Sequence, residues 1–420
     1  MATRAERAAR ALQPGHDVAL LTGGTAYFDA LVAAIDGARA EILLETYILD
    51  FAGRPGEVAE AIARASERGV CTRIVVDGFG TGELPAERQA RWKAAGVHWR
   101  VYNPVGGWRM LLPRGWRRLH RKLCVVDGRI AFCGGINLLD DFHDPTHGAL
   151  DEPRFDFAVR VTGPLVADVH ETMTRLWLRL QAAREAKLPD FPALLETVRQ
   201  AARAGTDADA PRVSSDDFEG DARAPHRGLL AGLLLRDNIR FRKRIEHFYR
   251  YAIAQAEREI TIANAYFVPG IALQRALLRA ARRGVKVTVL LQGRYEYFMQ
   301  HHTSRALYGV LLDAGIEIVE YAPSFLHAKV AVFDSPQGAI VTVGSSNLDP
   351  ISLLLAREAN VFVRDDRFAA ALTAELKAAL SAGRRVESKA HVTRPLTGRS
   401  LSWLAYAFMR IALFATRHRY

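Results

Sequence analysis

The sequence predicts an α/β fold: two duplicated α/β/α sandwich domains related by a pseudo-two-fold axis. Three observations predict it. Short β-branched runs alternate with helical segments, four such segments recur in the same order in the second half, and a polar stretch without periodicity separates the copies.

The segments are taken in chain order. AEILLETYILD (Ala40–Asp50) is echoed by REITIANAYFV (Arg258–Val268), and each reads as a buried strand preceded by a helix. ERGVCTRIVVDG (Glu67–Gly78) is echoed by RRGVKVTVLLQG (Arg282–Gly293): a helix end, a Gly at the C-cap, then a strand. AAGVHWRVYNP (Ala94–Pro104) is echoed by DAGIEIVEYAP (Asp313–Pro323), and LHRKLCVVDG (Leu119–Gly128) by LHAKVAVFDS (Leu326–Ser335). The expected domains are 1–190 and 226–384, joined by a polar linker over 191–225 and followed by a basic amphipathic tail over 385–420.

Composition limits the partners. The chain has 420 residues, 49% of them apolar, which is enough for two cores, and its net charge is +11. That balance suits nucleic acid, an anionic membrane surface or phosphate-bearing substrates. Three cysteines, Cys71, Cys124 and Cys133, are too few for a disulfide framework and lack zinc spacing, so they read as small buried apolar residues. The N-terminus has no apolar core of signal-peptide length, and no uncharged stretch reaches the roughly 20 residues that span a bilayer. The expected location is the cytoplasmic side, with binding to a membrane from one face.

One pattern carries chemistry. The first copy holds His120, Lys122 and Asp127, then Gly134, Gly135 and Asn137; the second holds His327, Lys329 and Asp334, then Gly344, Ser345 and Asn347. Residues two apart in a strand share a face, so each His should project with its Lys. Each Asp follows its Lys at an odd spacing, which suits a structural role better than phosphate contact. A phosphodiester repels nucleophiles, and Lys ammonium groups and Asn amides can hold its free oxygens. One imidazole can attack phosphorus while a second passes protons to and from the alcohol oxygens. Two copies of His, Lys and Asn around one phosphate meet these needs with neither metal nor cofactor. His143, His147, His301 and His302 have no metal-ligand spacing and read as polar rim residues.

These motifs resemble the paired HKD motifs of the phospholipase D superfamily, over about 24–365. The resemblance implies that His120, Lys122 and Asp127, with His327, Lys329 and Asp334, form the catalytic set, and that Asn137, Ser345 and Asn347 attend the phosphate. It also implies an acidic partner that orients each His, matched by Glu358 in AREANVFV and by Asp156 in RFDFAVRVTGP. Gly135 stands where many members have Ser. ILLETYI, VVDGFGT, NAYFVPG and TVGSSNLDP are similar to bacterial cardiolipin synthases of the shorter type without N-terminal membrane spans. That resemblance implies the joining of two phosphatidylglycerol molecules with release of glycerol; some relatives take phosphatidylethanolamine as donor. It also favours His120 as nucleophile, and nearby arginines would keep that imidazole neutral.

Two segments suit a lipid partner. GGWRMLLPRGWRRLHRK (Gly106–Lys122) sets Trp108 and Trp116 among Arg109 and other arginines, just before the catalytic motif. The tail's apolar run, Leu401–Ala415, carries Trp403 and is broken by Arg410; as a helix it would reach only about 23 Å, short of a span. It is expected to lie in the membrane interface, the alternative being a helix docked on the protein. The expected partners are phosphatidylglycerol, other anionic phospholipids and the cytoplasmic face of an inner membrane, and not nucleic acid. A nuclease or other phosphodiesterase, and a non-catalytic membrane scaffold, are the competing functions.

Overall fold

The computed structural model describes residues 12–106, 113–144, 147–185, 228–237, 241–295, 298–349 and 356–387, with residue 407. The linker expected at 191–225, most of the tail, and Trp108, Arg109, Trp403 and Arg410 lie outside the described residues.

The first half runs β1 (Gln13–Thr22), α1 (Gly23–Asp36), β2 (Glu41–Thr46), α2 (Arg54–Glu67), β3 (Cys71–Asp77), α3 (Ala86–Ala95), β4 (His98–Tyr102), β5 (Arg118–Leu119), β6 (Leu123–Val126) and β7 (Ile130–Gly134). A small hairpin of β8 (His143–Asp144) and β9 (Gly148–Ala149) follows, then β10 (Phe157–Thr162) and α4 (Leu165–Glu185). The second half runs β11 (Leu229–Arg236), α5 (Arg244–Gln255), β12 (Glu259–Asn264), α6 (Ile271–Arg282), β13 (Lys286–Gln292), α7 (Phe298–Arg305), α8 (Tyr308–Asp313) and β14 (Glu317–Tyr321). It ends with β15 (Lys329–Phe333), β16 (Ile340–Gly344), β17 (Ala356–Arg364), α9 (Asp366–Ala382) and β18 (Arg384–Arg385).

The strand order is β1-β10-β7-β6-β2-β3-β4 in the first half and β11-β17-β16-β15-β12-β13-β14 in the second, with β18 added at the edge. Position by position the two orders are the same, so the duplication is one of topology as well as sequence. β1 lies antiparallel beside β11, with Gln13 opposite Ala231, so fifteen described strands follow one path across the pseudo-two-fold axis, and β5 joins the same sheet by pairing with β17.

Each sheet is covered on both faces, which is why its strands read as nearly unbroken apolar runs. α1, α2 and α3 bury Phe28, Leu31, Val58, Ile62 and Trp92 against one face of the first sheet. α5, α6 and α8 bury Phe248, Tyr249, Leu277 and Leu311 against the matching face of the second. On the other faces, Val169 and Met173 of α4 and Leu372 and Leu376 of α9 join strands of both halves in one shared cluster. The halves therefore share a core. Asp365 caps α9, its side chain accepting from Phe368 N at 2.7 Å. Cys124 and Cys133 are buried as expected, but Cys71 is exposed, because it opens β3 at the rim of the sheet.

Candidate active site

β2, β3 and β4 run parallel, as do β12, β13 and β14, and the site lies at their C-terminal edge, where open α/β sheets bind ligands. The continuous strand expected through each H-x-K motif is absent. β5 ends at Leu119 and β6 begins at Leu123, so His120 sits in a break; His327 sits in the matching break before β15. The cause is pairing across the halves. β5 pairs in parallel with the start of β17, with Leu119 opposite Arg357, and Leu326 bridges Phe155. His120 N donates to Arg357 O at 3.0 Å, and His327 N to Phe155 O at 2.9 Å.

Both carboxylates cross over too. His120 Nδ1 lies 3.0 Å from one oxygen of Glu358 and 3.1 Å from the other, and His327 Nδ1 lies 2.6 Å from Asp156 Oδ2. Each half supplies the His that the other half orients. With Nδ1 engaged by a carboxylate, Nε2 is the nitrogen left to react. Lys122 Nζ donates to His120 O at 2.9 Å, and Lys329 Nζ donates to His327 O, so each Lys folds back beside its own His.

Asp127 and Asp334, grouped above with the catalytic set, do not enter the site. Asp127 accepts from the backbone N–H groups of Arg39, Ala40 and Glu41, and Asp334 from those of Glu257, Arg258 and Glu259. They tie the hairpin after each catalytic strand to the start of β2 or β12, at the far end of the sheet. Ser345 is also placed differently from expectation. Its hydroxyl donates to Glu358 Oε2 at 2.5 Å, so it supports the carboxylate and is not presented to a phosphate. Asn137 Oδ1 accepts from Ile48 N at 3.3 Å, which turns its NH₂ away from that backbone. Asn347 is buried at the matching position.

Burial governs the electrostatics. Desolvation draws Lys122 down to about 7, with Glu358 opposing and Lys329 adding to the fall. It pushes the Asp156 carboxyl up to about 7 against the pull of Lys329. Both imidazoles fall below their ordinary value, chiefly through burial, and both lysines press in the same direction. The fall is deeper at His327, so the sequence argument that arginines single out His120 does not hold. The mutual influence of both lysines and both histidines puts all four in one site.

Residues outside the motifs contribute. Asp77 Oδ2 accepts from Leu119 N at 2.7 Å, and Gln292 Oε1 from Leu326 N at 3.3 Å; one holds the residue before His120 and the other the residue before His327. Tyr47 packs on His120 with ring centroids 4.9 Å apart. Arg121 and Glu45 form a buried pair at 2.7 Å. The signal for the first two lay in the repeat, where Asp77 and Gln292 precede Gly78 and Gly293 at matching positions.

Against this geometry, a family model described as "Cardiolipin synthase, PLD-like domain" matches residues 31–174 and 249–380, once in each half. The chain belongs to the phospholipase D-like cardiolipin synthase family. Relatives named cardiolipin synthase B from Shigella flexneri and from Escherichia coli K12 are each 34% identical over 409 residues, covering 94% of this chain and 88% of theirs. The crystal structure of phosphatidylserine synthase from Haemophilus influenzae shares the fold, with a TM-score of 0.65 at 13% identity over 98% of both chains.

Trp116 is exposed between β4 and β5, while Arg118 stacks over exposed Phe79 at 4.9 Å. Across the axis Arg294 stacks on Phe325 at 5.8 Å, beside exposed Tyr295. No described helix is long and apolar enough to cross a membrane.

Proposed function

We propose that this chain is a cardiolipin synthase that moves a phosphatidyl group from one phosphatidylglycerol to the 3-hydroxyl of another, releasing glycerol. The observation that carries the proposal is the crossed pairing of His120 with Glu358 and His327 with Asp156, with Lys122 within electrostatic reach of both carboxylates, in a chain 34% identical to cardiolipin synthase B. The proposed domains, 1–190 and 226–384, each supply half of this site.

In the first step His120 Nε2 attacks phosphorus. The bond from phosphorus to the glycerol oxygen breaks, and His327 Nε2 protonates that oxygen. In the second step an acceptor hydroxyl gives its proton to His327 and attacks phosphorus, freeing His120. Lys122, Lys329 and the amides of Asn137 and Asn347 hold the free oxygens. Asp156, poised near neutrality, suits the partner of an imidazole that both gives and takes a proton. Glu358, braced by Ser345, suits the partner of the imidazole that becomes a phosphorylated cation. The aromatic and Arg residues around the mouth support attachment to the cytoplasmic face of an inner membrane. Lysines fill the role that a metal plays elsewhere, so no step is assigned to one.

The test is purified protein with phosphatidylglycerol liposomes in EDTA, read by lipid mass spectrometry. Cardiolipin and glycerol should appear in equal amounts, and His120→Ala should abolish both. Parallel arms with phosphatidylethanolamine and with plasmid DNA examine the other donor and the nuclease alternative. Plasmid cleavage without lipid product, or a need for a nucleotide-activated lipid, would overturn the proposal.

A further inference from the structure

The two halves of the site are not electrostatically equivalent, and the difference lies outside the paired motifs. Asp77 ends β3, is fully buried, and accepts from Leu119 N at 2.7 Å and from Phe79 N at 2.8 Å. Gln292 ends β13 and accepts from Leu326 N and Arg294 N, each at 3.3 Å. The positioning task is the same, but a carboxylate does it beside His120 and a neutral amide does it beside His327. The amide leaves Gln292 Nε2 buried with no hydrogen-bond partner among the described residues, so neutrality at this position has a structural cost.

A second difference lies one turn away. Tyr47, the first residue after β2, sits 4.9 Å from the His120 ring centroid, and Lys122 Nζ lies 5.4 Å from the centre of its ring. The matching residue after β12 is Ala265. The carboxylates differ as well. Glu358 receives the Ser345 hydroxyl, whereas Asp156 lies against Gly135, where an added Cβ would stand 2.2 Å from Asp156 Oδ1. A serine there has no room.

Two of these differences have one sign. A carboxylate in place of an amide and an aromatic ring in place of a methyl each favour positive charge at His120 and Lys122, whereas both orienting carboxylates are braced, Glu358 by the Ser345 hydroxyl and Asp156 by Phe157 N at 2.8 Å. Asp77 lies within electrostatic reach of Lys122. When an imidazole Nε2 bonds phosphorus and the glycerol oxygen leaves, the ring becomes a cation because Nδ1 keeps its hydrogen. The departing oxygen takes its proton from the other imidazole. The covalent intermediate therefore forms on the half that better stabilises a cation.

We infer that Asp77 and Tyr47 are positioning residues that polarise the pseudo-symmetric site, so that the phosphoryl group is carried by His120 and not by His327. The inference rests on the two-step reading proposed above.

The experiment reacts the full chain with radiolabelled short-chain phosphatidylglycerol for less than one turnover, quenches in alkali and maps the labelled peptide. The wild-type label should lie on His120. In Asp77→Asn/Gln292→Glu, which carries the charge across the axis, the His327 share should rise roughly tenfold; a merely structural role would change the total label and not its distribution. Tyr47→Leu should slow labelling of His120 roughly tenfold, and Tyr47→Phe should restore it, since the ring and not the hydroxyl meets the cation. Label confined to His120 in the charge-swapped protein overturns the inference. If circular dichroism shows that the swap does not fold, the Tyr47 pair decides, and equal rates for Leu and Phe overturn it. Wild-type label on His327 refutes the His120 assignment as well, and cardiolipin formed without label refutes the two-step reading itself.

Discussion

At the scale of single residues, the site places two cations, two carboxylates and two imidazoles out of water, and the protonation of each depends on the others. Lys122 can hold a phosphate oxygen only while protonated, and burial draws its pKa to about 7. For a base with a depressed pKa the charged form is lost as pH rises, so kcat/KM should fall through neutral pH toward the alkaline side. Lys122→Arg should lower the plateau, because a guanidinium cannot replace a compact ammonium, yet carry the alkaline fall to higher pH. A pH profile of kcat/KM checks this; an unmoved limb would assign it to another group. The histidines differ in what their loss leaves behind. His327→Ala should still be attacked when the donor has a good leaving group, and should then stall as a phosphohistidine at His120. His120→Ala should form no adduct. Alkaline peptide mapping after reaction with a labelled p-nitrophenyl phosphodiester distinguishes the two.

At the scale of elements, the duplicated unit provides its own controls. Asp334 gathers three backbone N–H groups at the start of β12, and Arg258 besides. Asp334→Ala should cost about 2–3 kcal/mol, the worth of a few charge-assisted hydrogen bonds at a half-exposed turn. In a chain of this size that lowers the melting temperature by roughly 2–4 °C, while turnover well below the transition changes little. A large loss of kcat with an unchanged melting temperature would return Asp334 to the site. The Glu45–Arg121 pair is a second control. Its counterparts across the axis are Ala263 and Ala328, both fully buried. Arg121→Ala alone strands a buried carboxylate and should cost about 3–5 kcal/mol. Adding Glu45→Ala copies the other half and should recover much of the loss. Calorimetry of the three variants checks the cycle, and additive losses would mean that the pair is not coupled.

At the scale of the whole molecule, the site exists only between the halves. Each imidazole and its carboxylate come from opposite halves, so separated halves should lack activity even where they fold. The same edge of the molecule gathers exposed apolar side chains: Phe79, Val105 and Trp116 in the first half, Tyr295 and Phe298 in the second, with Arg118 and Arg294 among them. Such a rim suits headgroups and the boundary beneath them. Phe79→Ser/Tyr295→Ser should weaken sedimentation with anionic liposomes several-fold and slow turnover on bilayers, and should spare a soluble short-chain substrate. Unchanged sedimentation would shift membrane binding to the segments outside the described residues.

Much of this was legible in the sequence because it is local or repeated. Strand and helix periodicity, the Gly residues that end helices, and four echoed segments are short-range signals, and they determined the α/β class, the duplication and the two H-x-K motifs. The odd spacing of Asp127 and Asp334 also marked them as structural, since side-chain direction in an extended chain alternates from residue to residue. Only the tertiary structure decided what depends on partners far apart in the chain. It broke the catalytic strands at His120 and His327, because β5 and Leu326 pair with the opposite half. It crossed Glu358 to His120 and Asp156 to His327 over more than a hundred residues of chain. It gave the Ser345 hydroxyl to Glu358, and set Asp77 and Gln292 beneath the two motifs. Periodicity reports which face of an element is apolar, but the pairing of a carboxylate with an imidazole from another element depends on how two sheets meet, and that is set by the shared core of both halves.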